Sequence, residues 1–163
     1  MNTAASADRR APLLVLVAGL ASLAIAFTSQ YWGGLVPCPL CIYQRYPYGV
    51  AAVLGLIGLA VAPRSRWLRV VLVAAAVVFF IDAGIAAFHV GVEQHWWQGL
   101  AECTSSLPTG VSAEELKQQL LATPVTPCDK VQWSLFGISM AGYNFLYAAG
   151  CGLLTLWAAA RQK

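Results

Sequence analysis

Four of the five cysteines fall into two pairs with different chemical prospects. The first is Cys38-Pro39-Leu40-Cys41. Two cysteines with two residues between them can close as a reactive disulfide, and such motifs often hold a thiol of lowered pKa. The second pair is Cys103 and Cys128, with 24 residues between them. A bridge there would close a loop worth roughly 3.5 kcal/mol of chain entropy. Two disulfides are expected if these residues meet an oxidising compartment. The alternatives are a static staple for the second pair and a half-built metal site for the first. The local sequence around Cys38 and Cys41 has no histidine, so it supplies two of the usual four zinc ligands. Cys151 has no sequence partner and reads as a small apolar residue.

Arg45 follows Cys41 by four residues. On one continuous helix the two would share a face. A helix starting near Cys41 would also turn its positive dipole end to the thiol. Both effects favour a thiolate. Arg45 could equally serve as an anchor reaching toward lipid headgroups. Pro47 stands against a continuous helix, since its ring would clash with the carbonyl of Tyr43.

The elements that must position these residues are apolar. The chain is 59% hydrophobic and 10% charged, against about 25% charged in an ordinary soluble domain. A chain this short cannot hide so much apolar surface in a soluble core. A disordered chain is excluded by the same count. No charged residue occurs from Ala11 to Gln44, from Tyr46 to Pro63, or from Val131 to Ala160. Val70 to Val92 holds one, Asp82. A crossing helix needs roughly 20 apolar residues. The expectation is an all-α integral membrane protein, a four-helix transmembrane bundle forming one domain over 1–163. Its spans fall near 12–29, 43–62, 69–89 and 136–160, with outer loops near 30–42 and 90–135. A signal peptide cut after Ala24-Ile25-Ala26 is the rival reading of the first span.

Seven of the ten basic residues lie at the two termini and in the loop after the second span: Arg9, Arg10, Arg64, Arg66, Arg69, Arg161 and Lys163. This bias sets both termini in the cytoplasm and the cysteine-bearing loops outside. Topology and cysteine usage thus select the same face. Tyr and Trp near the span ends suit an interfacial belt. The basic residues form no patch interleaved with stacking aromatics, so nucleic acid is not an expected partner. Leu116, Leu120 and Leu121, set against Glu114, Glu115 and Lys117, suggest a helix over 111–121 lying on the membrane surface.

Cys38-Pro39-Leu40-Cys41-Ile42-Tyr43-Gln44-Arg45 resembles the disulfide bond formation protein B (DsbB) family. So does Cys128-Asp129-Lys130-Val131-Gln132-Trp133 with Phe136-Gly137-Ile138-Ser139-Met140 after it. The resemblance extends to length, four spans and both cysteine pairs. It implies a bacterial inner-membrane thiol:quinone oxidoreductase that re-oxidises a DsbA-like periplasmic thioredoxin-fold protein. Electrons would pass to ubiquinone or menaquinone in the lipid. Cys103 would be attacked by the partner, Cys128 would attack Cys38, and Cys41 would become the thiolate facing the quinone. Arg45 would sit beside that quinone. His89 and Glu93, four apart near the end of the third span, would protonate the reduced quinone or form a wet interfacial pair. Asp82 would relay protons or pair across helices. The alternatives are an oxidoreductase resembling vitamin K epoxide reductase, with its active pair at a later helix, and a non-enzymatic metal-binding membrane protein.

Overall fold

The computed structural model describes residues 3–100, 103 and 126–162, with the side chains of 3–8 left aside. The expected surface helix over 111–121 lies outside the described residues. The chain is mostly helical. Its helices are α1 (Thr3–Tyr31), α2 (Pro39–Tyr43), α3 (Arg45–Ala60), α4 (Arg66–Glu93) and α5 (Met140–Ala160). Two short strands, β1 (Ser134–Leu135) and β2 (Ile138–Ser139), pair antiparallel before α5.

Local chemistry sets the boundaries. α1 runs unbroken through Ala24-Ile25-Ala26. Cys38 caps α2: its Sγ accepts the Cys41 N–H at 3.3 Å, and Pro39 takes the first helical position. Proline suits that position because its missing N–H has no helical partner there. The helix breaks at Gln44, and α3 restarts at Arg45. Pro47 thereby falls in the first turn of α3, where it is tolerated. Ser65 and Ser139 cap α4 and α5, each accepting an N–H three residues on. The hairpin turn Phe136-Gly137 has positive φ at both residues, the geometry that matches strand twist. This turn departs from the all-helical expectation and starts α5 at Met140, four residues after the expected start of the span.

Successive helices run antiparallel, as contacts at their ends show. Arg45 Nη1 donates to Gln30 Oε1, joining the start of α3 to the end of α1. The Ser139 hydroxyl donates to Glu93, joining α5 to the end of α4. Arg9 Nη1 reaches the Leu59 carbonyl at the opposite end. α1 packs closely on α3 through glycines. A Cβ on Gly55 would come within 2.6 Å of the Leu16 nitrogen, and one on Gly19 within 2.7 Å of the Tyr48 carbonyl. Small residues let apolar helices approach in lipid, where water does not drive them together.

The core holds Val15, Tyr48, Leu72 and Phe79. The outward faces carry exposed Leu14, Val53, Val77 and Leu154. An apolar exterior this extensive belongs in a membrane. Arg9–Tyr31 and Arg66–Glu93 are long and apolar enough to cross one. α3 has 16 residues, about 24 Å of helix.

Candidate active site at the cysteine end of the helices

The structure gathers both cysteine pairs. Cys38, Cys103 and Cys128 are buried in one cluster with Leu40 and Val92, and Cys41 and Phe88 pack against it. Cys103 and Cys128 form a disulfide. Cys38 and Cys41 are free thiols, with sulfurs 2.8 Å apart. One of the two expected disulfides is therefore present and the short pair stands reduced.

The two thiols of the short pair are not equivalent. The Cys38 pKa is raised by its hydrogen bond to Cys41 and by burial. That of Cys41 is lowered, first by the side-chain hydrogen bond with Cys38, with the Cys38 backbone and the Arg45 charge acting the same way. Burial and the Glu93 carboxylate oppose this. Of the two, Cys41 is the thiol that ionises more readily.

Arg45 and Cys41 line the same cavity, and Gln44 between them keeps right-handed helical dihedrals. The break at Gln44 places Cys41 on α2 and Arg45 on α3. The guanidinium lies over the Phe27 ring, 5.0 Å from its centroid, while Nη1 holds Gln30 at 2.8 Å. Its Nε is buried with no hydrogen-bond partner among the described residues.

His89 comes from α4. Its Nε2 lies 3.6 Å from Cys38 Sγ and 4.0 Å from Glu93 Oε1. Both His89 and Glu93 are buried, which removes the wet-pair alternative. His89 is the histidine that the local sequence around the short pair lacks. Cys38, Cys41 and His89 hold three metal-ligating atoms within 4.8 Å of one another. The 2.8 Å sulfur separation is well short of the roughly 3.7 Å that two thiolates need on one tetrahedral zinc with bonds of about 2.3 Å.

Sequence reasoning passed over three further residues. Gln44 Nε2 meets His89 Nδ1 at 3.0 Å. Asn144 Nδ2 donates to Gln44 Oε1 and to Asp82 Oδ2, both at 2.9 Å. Tyr48 donates to Asn144 Oδ1. Asp82 thus pairs across helices, and it is fully buried. A search for charge skips these residues because amides and phenols carry none. A polar amide inside the charge-free run after Val131 was the available signal.

α1 and α5 touch sparingly at this end, and a cavity of about 350 Å³ opens between them. Cys41, Arg45, His89, Glu93 and Asn144 line it, together with apolar residues of α1 such as Ile25 and Ala26.

Residues 8–158 match the family described as disulfide bond formation protein DsbB. The chain belongs to the DsbB family. It is therefore a membrane protein of a family named for disulfide bond formation. Disulfide bond formation protein B of Xanthomonas campestris pv. campestris is 32% identical, covering 93% of this chain and 90% of that protein. Its namesake in Azoarcus sp. is 28% identical over 91% of both chains. An uncharacterized protein of Rickettsia prowazekii, RP370, is 29% identical over 82% of this chain and 77% of its own. No solved structure matches the chain.

Proposed function

We propose that this DsbB-family member is a thiol:quinone oxidoreductase of the bacterial inner membrane. It re-oxidises a DsbA-like periplasmic dithiol protein. The observation that carries the reading is the meeting of both cysteine pairs in one buried cluster beside an apolar cavity. The chain crosses the membrane four times as a single domain. Its termini are cytoplasmic and its cysteines periplasmic, as the basic residues and cysteine usage argue.

Exchange proceeds by thiolate attack on a disulfide sulfur. From the fully oxidised enzyme, the partner's thiolate attacks Cys103 and displaces Cys128. Cys128 attacks Cys38 and displaces Cys41 as a thiolate. The partner's second thiol closes the partner's disulfide and releases Cys103. Cys103 then attacks Cys128, restoring the loop disulfide and leaving Cys38 and Cys41 reduced. A bonded loop pair beside a free short pair is consistent with that end state.

The cavity fits a quinone headgroup. Its walls are mostly apolar, and the buried Arg45 Nε lacks a partner that an acceptor oxygen would supply. A bound quinone, whether ubiquinone or menaquinone, supplies a two-electron, two-proton acceptor for the dithiol. Cys41 holds its thiolate toward this space and Cys38 keeps its proton. Arg45 contributes positive charge where negative charge develops. His89 offers a ring nitrogen beside Cys38, and the apolar walls exclude water.

The test is capture of the partner. A DsbA-like protein lacking its resolving cysteine should form a stable mixed disulfide with Cys103, mapped by mass spectrometry. Capture on Cys38 or Cys41, or no capture with reduction of quinone absent, would overturn the reading.

A further inference from the structure

Asp82, Asn144, Tyr48 and Gln44 have no task in the exchange above. They nevertheless form a continuous hydrogen-bonded line that ends on His89. The donors and acceptors along it can be assigned in one direction. Asp82 Oδ2 accepts from Asn144, so the Asn144 amide turns Nδ2 toward it. Tyr48 donates to the Oδ1 on the other side of that amide, in agreement. The same Nδ2 reaches Gln44, which must answer with Oε1. Gln44 therefore faces His89 with Nε2, a donor only. His89 Nδ1 must accept, and the ring hydrogen of the neutral imidazole resides on Nε2. Nε2 is the nitrogen beside Cys38 and Glu93 at the cavity wall, and the ring also holds a hydrogen bond with the Cys128 backbone, which an acceptor oxygen would have to share or displace.

We propose that Asn144, oriented by Asp82 and Tyr48, is a positioning residue that acts through Gln44 to fix His89 as a hydrogen-bond donor into the acceptor cavity. Asp82 and His89 lie seven residues apart on α4, about 10 Å along the axis. The polar line carries the orientation over that distance, across α5 and the break between α2 and α3. A reversed line would leave Nε2 bare, with no hydrogen to offer an acceptor oxygen. Groups fixed in advance at a site of low polarity need no rearrangement as charge develops.

The inference rests on the cavity being the acceptor site, and its test separates the two. Full-length protein labelled with ¹⁵N-histidine is reduced in detergent, with His95→Gln leaving His89 as the sole histidine. The His89 ring should show a bare Nδ1 and a protonated Nε2. Gln44→Glu keeps the side-chain shape but removes the donor, so Nδ1 should become protonated. Asn144→Leu frees Gln44 to turn, and both ring forms should appear. Quinone reduction by Asn144→Leu should fall at least about tenfold, in the rate at saturating quinone more than in KM. Partner capture at Cys103 reports that the variants are folded. A protonated Nδ1 in the parent, or an unchanged ring form in both variants, overturns the proposal. A parent protein that reduces no quinone but shows the expected ring form sinks the acceptor-site reading instead.

Discussion

The two cysteine pairs are built from the same residue type and share one buried cluster, yet their settings differ. Cys103 and Cys128 are 25 positions apart and bonded. They belong to the long segment between α4 and α5. Cys38 and Cys41 are three positions apart, fixed by the cap and first turn of a helix that Pro39 starts. The first arrangement depends on chain that can reach a soluble partner. The second holds two sulfurs in contact, with the Cys38 pKa raised and the Cys41 pKa lowered. On the proposed function, separation in sequence suits one pair to exchange, and helix geometry suits the other to thiolate chemistry.

The largest effect that could break this comparison comes from Cys41→Ser. Quinone reduction should be abolished, while partner capture at Cys103 persists. Normal turnover in that variant would contradict the division of labour. A smaller effect is expected at Arg45. Arg45→Met keeps bulk over Phe27 and removes both the charge and the free Nε. Steady-state assays should show quinone reduction down by about tenfold to a hundredfold, on the scale of losing one donor at a developing anion. Retention of full activity would assign Arg45 to lipid anchoring alone.

The smallest effect is a shift in pH. With Cys38 raised and Cys41 lowered, alkylation of Cys41 in the reduced protein should reach its plateau below the ordinary thiol range, near pH 8.5. The sign follows from the lowered pKa: thiolate is lost only as pH falls through that value. In Cys38→Ala the principal stabilising hydrogen bond is gone, and the plateau should move up. Mass-spectrometric rates for Cys41 against pH check this. Equal profiles in both proteins would make the two thiols of the short pair equivalent.

Much of this site was legible in the chain. The charge-free runs marked the apolar segments, and the cysteine spacing separated a reactive pair from a looped one. Arg45 stood out because charge is rare here. The role of Pro47 was half legible. Its conflict with a continuous helix was visible, but not that the chain would resolve it by breaking at Gln44 and restarting. The burial of His89 and Glu93 was not legible, because four-residue spacing fits a buried pair and an exposed one equally. Gln44 and Asn144 are separated by 100 positions, and neither carries charge. Nothing local told them from amides facing headgroups.

By itself the sequence determined where apolar chain must leave water and which cysteines stand close along the backbone, because those properties depend on residue type and spacing alone. Only the tertiary structure decided that His89 meets Cys38, that Arg45 Nε is buried without a partner among the described residues, and that Asp82 connects to the site through Asn144 and Gln44. Those contacts join residues from separate helices. They exist because α1 and α3 approach through glycine, and because α4 and α5 bring buried polar groups together where hydrocarbon offers them no other partner.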